Sequence, residues 1–597
     1  MDVLRLAVPE RAPNPGVAAF YNPQRLKAWI ESLPLGNPGK TGEELLKALQ
    51  LVNRAEATVN QRYYFLGQCR PLIADLLETL SKQYAAAAVP LADKQRSAAE
   101  LAHNLLTEMA YGYKIVILAT ANTASAEASR NTLIASVLYT MHHLARLLMD
   151  TYSLYAPEPK NLWLELHQIY RFAEKQGFLT ATIQQDGKVS GVGSIDHTYR
   201  RILMLALANP YHLMQGEALL VFRELDNWAS TCRITSLAPG TSPKGQLFMD
   251  LEKDAAPRYA PARMNIGLSG DGRILDISGV LPILEQRTKE LLVSSKTESG
   301  QLNLAGRKLR NMYKRLAEAW GVRTERLSER KQRSTPIEIV VGISACHNFA
   351  SNGTEFNPEI SEIELRKGAA GNKGQGLSLM AAGETPWINE DQVQRLSTGI
   401  VQPRTSQFDA DPMKDKDIWV KVYSTQAQFE HKKGGSNVPP VFERTVCQFR
   451  DESRGGMAIS CKKAHGVRLI AGEVVGFKSE HSPNTNDWSI GVVRWLRTSA
   501  KDKVEMGIRS LADDTMPVAT RGIKGVGKDS EYFRSLLLPK MDPLQYPTTL
   551  ITPAAVYDVD SVIFVNTGTQ IFYAHLTKLL DATNAFSLFQ FQIVPPP

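Results

Sequence analysis

Residues 450–460 read RDESRGGMAIS, which puts an aspartate (Asp451), a serine (Ser453) and a glycine (Gly456) within six positions. They stand at the approach to a run with the composition of a strand. Two readings fit these residues: a tight turn between strands, or a small corner that grips a ligand. Upstream, GRKLRNMYKRLAEAWGVRTERLSERKQR (306–333) carries far more Arg and Lys than Glu, and Arg326, Arg330 and Arg333 lie in its second half. A block of this kind favours an anionic partner, whether a nucleic acid, a nucleotide or an acidic protein face. The plainer account is a solvated helix face followed by a basic linker.

Other residues with chemical potential carry less. GIKGVGK (522–528) has the GxxxxGK spacing of a phosphate loop, but Asp529 stands where a Ser or Thr must hold magnesium, so a basic loop is expected. LDISGV (275–280) repeats the Asp-x-Ser start with Leu281 in place of the glycine, and reads as a strand end leading into a helix. GAAGNKGQG has no flanking strand and helix of a dinucleotide site. His142 and His143 are adjacent on a helix, not an i, i+4 ligand pair, and read as polar helix positions. Cys346 and His347 read as strand neighbours facing opposite ways. No nucleophile–base set or paired carboxylates emerge, so neither an enzyme nor a metal site is expected.

A chain of 597 residues is too long for one core. Net charge is +8, and five cysteines (Cys69, Cys232, Cys346, Cys447, Cys461) are scattered without a CxxC pair. Neither a disulfide framework nor a zinc site is indicated, and a reducing, cytoplasmic compartment is expected. The opening MDVLRLAVPERAPNPG lacks the basic and apolar regions of a signal peptide. TLIASVLYTMHHLARLLM (132–149) contains two His and an Arg, and reads as a buried bundle helix instead of a membrane span.

The elements that must position the corner follow from periodicity. Residues 1–40 are expected to be extended, and a helical regime begins at Thr41, with Thr41 and Glu44 as a capping box. Apolar residues at i, i+3, i+4 and i+7 predict helices over 41–84, 93–120, 124–154, 159–177, 195–208 and 212–229, an all-helical array within 41–235. A small mixed α/β segment (236–322) follows, closing on a basic helix over 304–321 that Gly321 ends with a left-handed cap. IEIVVGISACHNF (337–349) reads as a strand, and a Gly-, Ser- and Lys-rich insertion occupies about 350–438. Strands resume at FERTVCQFR, GMAISCKK, EVVGFKSE, WSIGVVRWLR and VEMGIRSL, and a further β-rich segment covers 516–597.

Taken in order, the arginine cluster, a strand, the Asp-x-Ser-x-x-Gly corner and four more strands resemble the PilZ domain, a bacterial six-stranded β-barrel that binds cyclic di-GMP. Arg326-Leu-Ser-Glu-Arg330 has the spacing of that family's RxxxR motif, and Asp451-Glu-Ser453-Arg-Gly455-Gly456 that of its (D/N)xSxxG motif. Arg330-Lys-Gln-Arg333 is a second register, one residue short, and Arg323 a third candidate. The resemblance implies a PilZ-like barrel over 323–515 in an α+β multidomain chain, with cyclic di-GMP as ligand. Arg326, Arg330 or Arg333 would take phosphate and guanine contacts, Asp451 and Ser453 a guanine edge, and Gly456 would allow close backbone approach. It further implies a receptor that answers the dinucleotide by rearranging towards a protein partner, in motility, surface attachment or biofilm control. The alternative is a degenerate barrel that binds partners without nucleotide. The basic block has few interleaved aromatics and no DNA-binding motif, so nucleic acid is not an expected partner.

Overall fold

The computed structural model describes residues 4–121, 127–185, 188–189, 193–238, 240–262, 270–294, 304–321, 331–332, 335–353, 358–359, 362, 442–453, 455–462, 469–479, 488–499, 503–528, 530–539 and 548–596. Most of the 350–438 insertion lies outside them. The chain divides into two compact units, Met1–Glu325 with Arg497–Ser499, and Arg326–Leu496 with Ala500–Pro597.

The first unit is helical: α1 (Pro23–Glu31), α2 (Pro38–Asn53), α3 (Val59–Tyr84), α4 (Asp93–Thr120), α5 (Glu127–Ser153), α6 (Leu162–Lys175), α7 (Ile195–Leu207) and α8 (Glu217–Trp228). Start signals in the sequence set several of these boundaries. Asn22 and Asn37 cap α1 and α2, each followed by a proline whose missing N–H is no loss at that position. The capping box belongs to Thr58 and Gln61, at the head of α3. Thr41, expected in that role, lies in the first turn of α2 and donates instead to the carbonyl of Pro34. Within the stretch expected to be extended, residues 15–21 form a 3-10 turn and 23–31 form α1.

α5 is the buried bundle helix its sequence suggests, with Val137, Leu138, Met141 and Leu148 fully enclosed. His143 lies on α5 as a buried polar residue that stacks on Tyr113, and burial pushes its imidazole well below its ordinary pKa. One ion pair is enclosed in the bundle, Lys114 Nζ to Glu165 Oε2 at 2.5 Å, and Glu165 also accepts the N–H of Ala7. Removing one partner of such a pair costs about 3–5 kcal/mol, because the other charge is left buried.

β1 (Gln184–Gln185) and β2 (Lys188–Val189) form a short ribbon. β3 (Arg233–Ser236), β4 (Leu247–Asp250), β5 (Arg258–Tyr259) and β6 (Gly272–Asp276) form a sheet in the order β3-β6-β4-β5. α9 (Val280–Ser294) and α10 (Leu304–Trp320) complete the unit. Asp276 ends β6 and accepts the Ser278 N–H at 2.9 Å, the strand end expected there. Gly321 follows α10 without a left-handed conformation.

The second unit holds two closed antiparallel barrels. The first is built from β8 (Pro336–Val341), β9 (Thr445–Ser453), β10 (Gly456–Lys462), β11 (Val474–Ser479), β12 (Ser489–Ser499) and β13 (Lys503–Ala512). Their order is β10-β13-β12-β11-β8-β9, closed by pairing of β9 with β10; β7 (Lys331–Gln332) adds to β9. The second is β14 (Met516–Lys524), β15 (Phe533–Leu538), β16 (Thr549–Pro553), β19 (Phe586–Val594), β18 (Ile571–Ala582) and β17 (Val562–Asn566), in that closed order.

Two expectations are corrected in this unit. The strand at 337–349 stops at Val341: Gly342 turns with φ +92°, and α11 (Ile343–Ala350) begins. The apolar run that suggested a longer strand is one side of this helix, with Ile343, Cys346 and His347 buried. The cysteines are also not all free. Cys447 on β9 and Cys461 on β10 form a disulfide with Cα atoms 4.4 Å apart, the spacing of directly opposed residues in a non-hydrogen-bonded pair. GIKGVGK spans the end of β14 and the turn after it, where Gly525 and Gly527 take positive φ, so it is a hairpin turn.

Candidate ligand site

The corner sits where β9 turns into β10, and an irregularity in β9 decides which way it faces. Cys447 and Phe449 point inward, so strict alternation would bury Asp451 as well. The register instead shifts: Phe449 pairs with Ile459, whereas Asp451 pairs with Ala458 and Ser453 with Gly456. The extra residue is Arg450, and this bulge carries Asp451 onto the outer row of the strand. β13 extends the row, with Gly507 opposite Ala458 and Arg509 opposite Gly456. Because opposed residues project to the same side, Asp451, Gly456, Gly507 and Arg509 share one outer face.

Glycine is required at two of these positions. A Cβ on Gly456, at φ +156°, would lie 2.1 Å from the carbonyl oxygen of Ile508. A Cβ on Gly507 would lie 1.9 Å from Trp495 Nε1, so the indole rests directly on the bare backbone beside Asp451's row. Polar neighbours frame the face: Arg450 pairs with Glu505, and Arg509 Nη2 donates to Asp581 Oδ2 of the second barrel at 2.6 Å.

The arginine segment reaches this place. β7 pairs antiparallel with β9, Lys331 opposite Glu452 and Gln332 opposite Asp451. The residues on either side of β7 are Arg330 and Arg333. These two and Arg326 lie outside the described residues, as does the Ser453 side chain. The fold therefore sets Lys331 and Gln332 against Glu452 and Asp451 across a separation of more than a hundred residues. Sequence reasoning missed Trp495 and Arg509. The signal was present in VEMGIRSL, whose alternation sets Gly507 and Arg509 on the outer row.

Among the described residues no group of three or more His, Cys, Asp and Glu is arranged to hold a metal ion. Nor is any helix among them long and apolar enough to cross a membrane.

Three family models match consecutive parts of the chain: the N-terminal domain of cyclic-di-GMP receptor FimW over residues 24–240, its middle PilZ domain over 247–517, and its C-terminal β-barrel domain over 518–594. The chain belongs to the FimW family of PilZ-domain proteins. A curated member, the cyclic-di-GMP receptor FimW of Pseudomonas aeruginosa, is 25% identical over 584 residues, covering 96% of this chain and 91% of that protein. No solved structure matches. The PilZ resemblance and the α+β multidomain class, with a helical N-terminal half and a six-stranded barrel, are thereby established, and the β-rich segment after it is the FimW family's own second barrel.

Proposed function

We propose that this protein is a cytoplasmic receptor for cyclic di-GMP that binds on the outer face of the first barrel. The observation that supports it best is the β7–β9 pairing, which sets the arginine segment beside Asp451. The ligand carries two phosphates and two guanines. A guanidinium forks onto a phosphate or onto guanine O6 and N7, and stacks on a purine face. Arg326, Arg330 and Arg333 are the candidates for those contacts. Asp451 accepts from guanine N1 and N2, Ser453 adds a hydroxyl, and Gly456 admits the ligand close to the backbone. Trp495, lying flat on Gly507, offers a stacking surface. The family name of the Pseudomonas relative supports the same ligand.

Binding fixes the arginine segment on the barrel and changes what the helical unit offers to a protein partner, in motility, surface attachment or biofilm control. No catalytic step is assigned to it. Calorimetry with cyclic di-GMP tests the reading. The wild type binds at micromolar ligand or tighter, and Asp451→Ala and Arg330→Ala each weaken binding about 10- to 100-fold, the equivalent of one or two charged hydrogen bonds. A wild type that does not bind overturns it; binding that survives both substitutions moves the site elsewhere.

A further inference from the structure

We propose that the second barrel competes with the ligand for Arg509, a regulation of the site that rests on the reading above. Arg509 lies in the same cross-strand row as Gly456 and Ser453, one strand away from the corner. Its guanidinium, though, is engaged by the other barrel: Nη2 donates to Asp581 Oδ2 at 2.6 Å, and Arg494 Nη1 stands 3.6 Å from the same oxygen. Arg509 Nε is enclosed and has no hydrogen-bond partner among the described residues. A group with five donors in a planar fork is therefore held through one of its ends.

Asp581 is presented firmly. It follows a register irregularity in β18, and its other oxygen accepts the Ala582 N–H at 2.9 Å. Leu511, two residues beyond Arg509, packs in an apolar cluster with Leu536, Ile551, Phe586 and Leu588 of the second barrel. The carboxylate is thus fixed relative to β13, while the arginine it holds is long and about a third exposed. An anion arriving at the corner offers the fork a two-oxygen partner, a stronger match than a single carboxylate oxygen. Arg509 turns from Asp581 to the ligand phosphate, and the contact at β18 opens. By linkage, whatever strengthens Arg509–Asp581 weakens ligand binding, and the ligand weakens the contact in return.

The test is calorimetry of the full chain with cyclic di-GMP, together with hydrogen exchange. Asp581→Asn keeps the shape and removes the competing charge, so affinity rises about two- to fivefold, the range set by an ion pair between partly exposed groups. Arg509→Ala lowers affinity, and adding Asp581→Asn to it restores nothing. In the wild type, ligand speeds exchange of amides around 578–583; in Arg509→Ala it does not. The exchange arm needs no variant at Asp581, so the test stands even if that substitution fails to fold. Unchanged or lower affinity in a folded Asp581→Asn, with normal wild-type binding, overturns the competition alone. Ligand-slowed or unchanged exchange at 578–583 does the same. A wild type that binds no cyclic di-GMP removes instead the reading beneath it.

Discussion

The two barrels of this protein have the same number of strands, the same antiparallel pairing and the same closure, yet their irregularities leave different side chains on the outer face. The second barrel has register irregularities in β14, between Gly522 and Lys524, and at two points in β18. Its interior is apolar around Val518, Leu537, Ile563, Phe572 and Phe589, and its buried hydroxyls satisfy one another, with Thr520 and Ser535 2.8 Å apart and Tyr557 donating to Thr520. The first barrel has an irregularity at one end of β9, beside the corner. A bulge at Arg450 turns Asp451 outward, Gly456 and Gly507 strip side chains from the row, and Trp495 lies on the bare backbone. A closed sheet is a scaffold in both, and the barrels differ in what an irregularity presents: Asp451 in the first, Asp581 in the second.

Glycines give the sharpest way to break that contrast, because both barrels contain one that cannot take a Cβ. On Gly456 it would meet the Ile508 oxygen at 2.1 Å, and on Gly522 the Gly527 oxygen at 1.9 Å. Each Gly→Ala change forces backbone apart and costs about 3 kcal/mol, at the high end for single substitutions. Chemical denaturation should register both. Calorimetry should separate them, with cyclic di-GMP binding lost in Gly456→Ala and kept in folded Gly522→Ala. Equal loss of binding in both would mean that the face does not belong to the first barrel alone.

The Cys447–Cys461 disulfide is a second difference, since among the described residues only the first barrel is cross-linked. It joins β9 to β10 beneath the corner and closes a loop across a separation of 14 residues. In the chain-entropy account a loop of this size is worth about 3 kcal/mol, somewhat less where strain intervenes. A reducing agent, or the paired Cys447→Ser and Cys461→Ser substitutions, should lower unfolding stability by about 2–3 kcal/mol. Amides of β9 and β10 should exchange faster, while those of β14–β19 hold. A thiol count of five in the native, unreduced protein would show that the bond does not form in solution.

Much of this was legible in the chain. Helical periodicity marked α4, α5, α6 and α7 to within a few residues, because long amphipathic runs leave a strong signal. The order of arginines, corner and strands marked the barrel. What failed has physical causes. Residues 343–350 are apolar on the side that packs between strands, so a short buried helix looked like strand. The disulfide depended on Cys447 and Cys461 becoming opposite residues, which spacing alone does not reveal. The outward aim of Asp451 depended on a bulge that a count of alternating residues would have placed wrongly, and Arg509 on a register set by β10.

The smallest expected effect concerns acid–base balance within the first barrel. Glu473, just before β11, is pushed up to about 7 by burial, against the Val474 N–H that donates to its carboxylate at 3.1 Å and pulls the other way. Its folded pKa lies above its unfolded one, so between the two the folded state binds the extra proton. Stability from this group is therefore full below about pH 4.5 and declines as pH rises through 7. Buried histidines act oppositely: His347, held down to about 3 by burial and by Arg534, favours the folded state more as pH rises towards 6.5. The difference between wild type and Glu473→Gln isolates the carboxyl. Urea unfolding from pH 5 to 8 should show Glu473→Gln gaining on the wild type by on the order of 1 kcal/mol as pH rises. A constant difference across that range would mean that Glu473 titrates as an ordinary surface carboxylate, and that the first barrel is no more pH-sensitive there than the second.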